Sequence, residues 1–185
     1  MTVIVNISGT SGSGKSTVVR RLLEVSRPHT TVTDGKREIG RIIQVGNKPV
    51  FVAGRYGFHD TAGCDVIKDV EFWYRTIYEQ AEHNNVVYEG LFVMNHKRSQ
   101  DLMRNLYWGT TMHVINLTTP WETCLLGINN RRAAKGKGRF TGDIDNVKGH
   151  IVRARNFAHK LSELGASVYH LDREAAVVKL KELVG

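Results

Sequence analysis

The residues best suited to chemistry lie near the start of the chain, where Gly9-Thr10-Ser11-Gly12-Ser13-Gly14-Lys15-Ser16 matches the spacing GxxxxGK[ST]. Three glycines let the backbone take dihedrals that other residues avoid, so several N–H groups converge on one anion. Lys15 adds a full positive charge for β- and γ-phosphates, and the Ser16 hydroxyl, followed by Thr17, is placed to ligate Mg²⁺. Gly9 to Thr17 are therefore the candidate contacts to a nucleoside triphosphate, with ATP as the expected donor and Mg²⁺ as its counter-ion. A glycine-rich turn that binds nothing is the plain alternative, and the elements on either side argue against it.

Those elements must present the loop correctly. Val3 to Ser8 is an apolar, β-branched run, and Val18, Val19, Leu22 and Leu23 recur at helical spacing beyond the loop. Strand, loop and helix in that order put the positive end of a helix at the anion. A second acidic candidate sits in Val86-Val87-Tyr88-Glu89-Gly90-Leu91-Phe92, which reads as a buried strand. Buried carboxylates are costly without partners. In phosphate-loop proteins an acid at the tip of a neighbouring strand reaches Mg²⁺, often through water. Glu89 is thus a metal ligand beside Ser16, or the base that removes an acceptor proton, or a carboxylate bonded only to loop amides.

Between these lies Arg55-Tyr56-Gly57-Phe58-His59-Asp60-Thr61-Ala62-Gly63-Cys64-Asp65, a polar, aromatic stretch. It leads into a helix whose apolar face is Val66, Val70, Trp73, Ile77 and Ala81. Asp65 falls at the first turn of that helix, where it either caps the dipole or contacts an acceptor hydroxyl. The acceptor-binding candidates are Asp34, Arg55, Tyr56, His59 and Asp60. Upstream, His29 to Thr33 reads as a short strand ending at Asp34, and Pro28 stops the first helix. Arg41 to Val45 and Lys48 to Ala53 read as two strands joined by a tight Gly46-Asn47 turn. A hairpin inserted there is expected over the carboxyl ends of the sheet, where open α/β sheets bind ligands.

Further along, Ser99 to Trp108 is helical and Met112 to Leu117 a strand. Thr119 fits an N-cap with Pro120 at the first helical position. That helix ends in Asn130-Arg131-Arg132, and the KGKGRFTG within Ala133 to Gly142 predicts a mobile lid over about 131–145. Arg131 or Arg132 would neutralise charge in a transition state, the alternative being a solvated cluster at a helix C-terminus. Val147 to Leu164 is one long helix, Ser167 to Asp172 a strand and Glu174 to Val184 a closing helix. Alternating strands and helices predict an α/β fold, a three-layer doubly wound and mainly parallel sheet of the P-loop nucleotide-kinase type.

Composition sets bounds on this reading. A length of 185 residues, 41% hydrophobic and 24% charged, suits a single globular domain spanning 1–185. Two cysteines, Cys64 and Cys124, are too few for a disulfide framework and lack metal spacing. The N-terminal apolar run is too short for a bilayer span and has no basic leader, so the expected location is cytoplasmic, with no membrane partner. Net charge is +8, and nine cations against two carboxylates between Arg131 and Lys160 account for seven of it. That tract suits a lid that neutralises triphosphate, or a polyanionic partner such as DNA.

The loop alone leaves the phosphoryl acceptor open. A guanine-reading NKxD segment is missing, since Asn47-Lys48-Pro49-Val50 lacks its aspartate and comes too early. Helicase-type motifs are missing too, so transfer to a bound hydroxyl or phosphate is favoured over hydrolysis. The strand-loop-helix start, Glu89-Gly90-Leu91 and Asn130-Arg131-Arg132 resemble the nucleoside-monophosphate-kinase-like phosphate-loop kinases. Gly54-Arg55-Tyr56, Gly63-Cys64-Asp65-Val66-Ile67 and Val87-Tyr88-Glu89-Gly90-Leu91 are similar to phage P-loop kinases, among them hydroxymethyluracil DNA kinases. The resemblance spans most of the chain up to about Arg132. Lys15, Asp65, Glu89 and Arg131 are the catalytic candidates, and the resemblance implies that Asp65 or Glu89 contacts a hydroxymethyl group. It further implies that Tyr56, Phe58 or His59 stacks on a base taken out of the helix, and that the basic C-terminal third follows DNA phosphates. A kinase of a free nucleotide or small metabolite would use the same core. A nucleic-acid-binding ATPase without an acceptor is the remaining alternative.

Overall fold

Each strand of the sheet is set by a short β-branched run, and each helix by an apolar stripe that must find a sheet face. The computed structural model describes residues 1–26, 29–57 and 63–185; Pro28, Phe58, His59 and Asp60 lie outside them. In chain order the elements are β1 Thr2–Ser8, α1 Lys15–Val25, β2 His29–Asp34, β3 Arg37–Val45 and β4 Lys48–Ala53. A 3₁₀ turn Cys64–Val66 follows, then α2 Val70–Ala81, β5 Asn85–Glu89, α3 His96–Arg104 and β6 Thr110–Leu117. The chain closes with α4 Trp121–Ala133, α5 Ile144–Glu163, β7 Ser167–Leu171 and α6 Arg173–Val184.

The seven strands make one sheet in the order β2-β3-β4-β5-β1-β6-β7. The pairings from β4 through β7 are parallel, and those of β2 with β3 and β3 with β4 are antiparallel. The fold is therefore α/β with a mostly parallel sheet. Because side chains alternate along β1, Val5 and Ile7 face α1 and α6 with Val18, Val19, Leu22 and Leu180. Ile4 faces the other way, toward Trp73, Leu102 and Phe157 of α2, α3 and α5. Each such fully buried side chain contributes roughly 1.5–3 kcal/mol.

The sheet corrects the expected hairpin. β3 and β4 are not inserted above the sheet; they extend it, because β4 pairs in parallel with β5 through Val50–Asn85 to Val52–Val87. Their Gly46-Asn47 turn consequently lies at the amino edge, where a Cβ on Gly46 would come within 1.9 Å of the Gly185 carbonyl oxygen. The hairpin that projects from the carboxyl edge is β2–β3, whose turn follows Asp34.

Helix boundaries differ where a cap decided them. α2 begins at Val70 and is capped by Asp69, whose Oδ1 accepts the Phe72 N–H at 3.0 Å. Asp65 belongs to the preceding 3₁₀ turn and does not cap α2. α3 starts at His96, earlier than Ser99, because the Asn95 side chain accepts the Arg98 N–H at 3.0 Å, and it stops at Arg104. Thr119 does not cap α4, which is preceded by Pro120 with no side-chain cap bond. No helix among the described residues is long and apolar enough to cross a membrane.

Candidate active site

The glycine loop runs from the end of β1 to the head of α1, and its positive φ values at Gly9, Gly12 and Gly14 are 148°, 79° and 101°. Gly14 precedes α1 without any side-chain cap, and both Thr17 and Val18 donate their N–H to its carbonyl at 3.0 Å. The dipole and the first N–H groups of α1 are thus left to whatever enters the loop. Lys15 is only 7% exposed. Its Nζ donates to the Gly9 and Thr10 carbonyls, both at 3.0 Å, so the ammonium folds back over its own loop. Burial pulls its pKa below the ordinary lysine value, opposed by the charges of Glu89 and Asp65.

The Thr10 and Ser13 hydroxyls are buried without a hydrogen-bond partner among the described residues. Such oxygens and the uncapped helix head form a polar cradle that fits a phosphate chain. The cradle is braced from outside: Thr119 Oγ1 donates to the Ser13 carbonyl at 2.9 Å. α4 closes on it as well. A Cβ on Gly12 would stand 2.0 Å from the Cys124 carbonyl oxygen, and one on Gly127 2.8 Å from the Gly12 oxygen. Gly12→Ala is accordingly expected to destabilise by about 2 kcal/mol or more, since strain at positive φ adds to a backbone clash. A thermal melt with an unchanged midpoint would contradict this packing.

Glu89 ends β5 beside β1, where it is 1% exposed, and its Oε1 accepts the Ser16 hydroxyl at 2.7 Å. Burial lifts its pKa above the usual carboxylate range, while Lys15 and the Ser16 bond oppose the rise. Gly63 passes so close that a Cβ there would meet Glu89 Oε1 at 2.4 Å. Asp65 lies on the next turn, and its Oδ1 accepts the Phe92 N–H at 3.1 Å. Lys15, Ser16, Glu89 and Asp65 therefore meet at the carboxyl ends of β1 and β5. No group of three or more His, Cys, Asp or Glu able to hold a metal occurs among the described residues. Ser16 and Glu89 still suit Mg²⁺, which takes one or two protein oxygens and completes its shell with phosphates and water.

Other sequence candidates fall in different places. Arg131, exposed on α4, bears on the Lys15 charge across the loop, and Arg132 donates from Nε to the Gly138 carbonyl at 2.7 Å. The following segment is anchored as well as glycine-rich: Phe140 accepts packing from Cys124, Ile128 and Val147, and its N–H donates to Asn129 Oδ1 at 2.8 Å. Tyr56 corrects the stacking expectation. Its ring is 6% exposed inside the α1-side core and its hydroxyl donates to the Ala53 carbonyl at 3.2 Å, so no face is open to a base. Arg55 is exposed and its carbonyl accepts the Gly63 N–H at 3.1 Å; His59 and Asp60 are the other acceptor-binding candidates of this stretch. Those two residues lie outside the described ones. Asp34 stands on the projecting β2–β3 hairpin, with β3 and β4 between its strand and β5.

Several residues escaped the sequence reading. Arg20, one turn beyond Ser16, donates to the Gly57 carbonyl at 3.0 Å and bears on Glu89. Its i+4 spacing from Ser16 was the available signal. Arg173 of α6 lies over Gly14, with its Cδ 2.9 Å from where a Cβ would be. Phe92 is 45% exposed beside Asp65. Nothing local marks either role.

No family model matches the chain. Over 188 residues, however, it is 32% identical to a 5-hmdU DNA kinase of Pseudomonas phage PaMx11, covering 98% of this chain and 96% of that protein. The chain belongs to the 5-hmdU DNA kinase family. Membership across nearly the full length means that the loop, Glu89, Asp65 and the basic C-terminal third all fall within the shared region, and it makes the chain a kinase.

Proposed function

We propose that the protein is an ATP- and Mg²⁺-dependent phosphotransferase acting on the hydroxymethyl group of a modified pyrimidine in phage DNA. The observation that carries this reading is the meeting of buried Lys15 and Glu89 with Ser16 and Asp65 at one sheet edge. The PaMx11 relative supports the acceptor. The whole chain acts as one kinase domain, with 131–145 as its lid and the host cytoplasm as its location.

Gly9 to Thr17 would hold the polyphosphate, with Thr10 and Ser13 supplying hydroxyls and Arg132 adding charge from the lid. Ser16 and Glu89 would hold Mg²⁺. Bound there, the magnesium nucleotide supplies the phosphoryl group in a form whose charge is partly neutralised. Lys15 exchanges its two loop carbonyls for phosphate oxygens, and Arg131 balances charge on the transferring group. Asp65, held by the Phe92 N–H, accepts the hydroxyl proton as the acceptor oxygen bonds to phosphorus and ADP leaves. Arg55, with Asp34, His59 and Asp60, would line the acceptor approach. The base itself reaches this edge only when extruded or single-stranded.

Label transfer from ATP tests the proposal, using hydroxymethylated DNA, plain DNA and free mononucleotides as acceptors. Label on the modified DNA alone is expected. Label on mononucleotides alone would instead favour a metabolite kinase, and phosphate released only into water would favour an ATPase. The exposed ring of Phe92 is an open aromatic face among the described residues beside Asp65, so Phe92→Ala should raise KM for DNA roughly tenfold with KM for ATP unchanged. Phe92→Tyr should restore it. An unaltered KM for DNA in Phe92→Ala would remove the ring from the acceptor path.

A further inference from the structure

Between the head of α3 and α5 lies a groove of about 380 Å³, lined by His96, Val152, Arg153, Asn156, Phe157 and Lys160. Phe157 is its buried floor and Val152, 56% exposed, stands on its rim. No carboxylate lines it. Arg153 and Lys160 have no ion-pair partner among the described residues. On the α3 side the groove is lined by His96, the first residue of that helix and four positions after Phe92. Toward the amino end of α5, His150 is held below its ordinary pKa by burial and by the charges of Arg153 and Lys15, so this end lies within electrostatic reach of the glycine loop.

From Gly149 to Lys160 the helix rises roughly 16 Å, the length of four or five steps of one strand at B-form spacing. We infer that this groove carries the phosphodiester backbone of the DNA strand whose base is being phosphorylated, with Arg153 and Lys160 each neutralising a phosphate. The opposite side of α5 is basic too, through Lys148 and Arg155. Lys148 on that side is engaged, however, 3.8 Å from Asp145 and over the Trp121 ring at 5.0 Å, whereas both cations of the α3 groove lack an ion-pair partner among the described residues. The inference rests on the DNA reading above and narrows the basic C-terminal third to one face, joined to α3.

A paired charge removal decides it. Full-length Arg153→Gln/Lys160→Gln and the equally charged control Lys148→Gln/Arg155→Gln are compared for binding to a hydroxymethyluracil single strand by anisotropy across a salt titration. The groove pair should lower the slope of log Kd against log salt by about 1.4, two contacts at roughly 0.7 each, and weaken binding at least tenfold at low salt. The control pair should lower the slope by less than about 0.5. Lys160→Glu alone should weaken binding more than Lys148→Glu, a second comparison that does not depend on the double variant folding. Equal losses in both pairs, or a larger loss in the control, overturn the groove. If wild type still labels hydroxymethylated DNA in that case, the kinase reading stands without it. Wild type that neither binds nor labels the DNA overturns both.

Discussion

Lys15→Met is expected to lower phosphoryl transfer by roughly a thousandfold or more while leaving the melting temperature equal or higher. The two halves of this result have separate causes. The ammonium is buried and bonded to the Gly9 and Thr10 carbonyls, both at 3.0 Å, yet burial still holds its pKa below the usual lysine value. A group with that shift destabilises the fold when charged, so an uncharged chain of similar shape should not weaken it. Transfer, in contrast, needs a full positive charge on the phosphates at the moment they separate, and methionine supplies none. Labelled ATP and a thermal melt on the same preparation check both halves. Transfer within tenfold of wild type would mean that the loop does not act on the phosphates, and the proposed mechanism would fall with it.

Glu89→Gln is expected to reduce transfer by about a hundredfold or more, whether the carboxylate holds the metal or takes the proton. Its effect on stability should follow pH with a defined sign. Burial raises the folded pKa of Glu89 above its ordinary value of 4.5, so the folded state binds this proton more tightly than the unfolded state. The associated stability is present below the unfolded value and is lost as pH rises through the folded one. At neutral pH the glutamine variant should therefore melt above wild type, and the difference should shrink as pH falls toward 4.5. Melts across that range measure it. A gap that widens on acidification would show that Lys15 and Ser16 hold the carboxylate ionised more strongly than burial opposes it.

The Phe92 ring and the α3–α5 groove suggest how one protein reaches a base within a polymer. The reacting edge is narrow and braced, since Thr119 fixes the loop at Ser13 and α4 packs against Gly12. The polymer then has to be held by surfaces outside that edge. Tyr56 cannot serve as such a surface while its ring lies in the core.

What the sequence determined by itself were features whose cause is local. Three glycines, a lysine and a serine at fixed spacing, flanked by a β-branched run and a helical stripe, specify a loop between β1 and α1 because backbone dihedrals and periodicity are properties of neighbours along the chain. Glu89 was legible for a related reason, as an acid in an otherwise apolar run. The β3–β4 turn was legible as Gly46-Asn47, but the edge of the sheet on which it lies was not. That depended on β4 pairing in parallel with β5, a contact set by packing between distant segments. The same holds for Asp65, which reads as a cap in the sequence, does not cap α2, and instead accepts the Phe92 N–H. It holds for Thr119, which reads as a cap but reaches Ser13 across 106 residues of chain. The groove between α3 and α5 belongs to this second kind, because the separation of Arg153 and Arg155 onto different faces of α5 acquires meaning only once α3 and β7 are packed on either side.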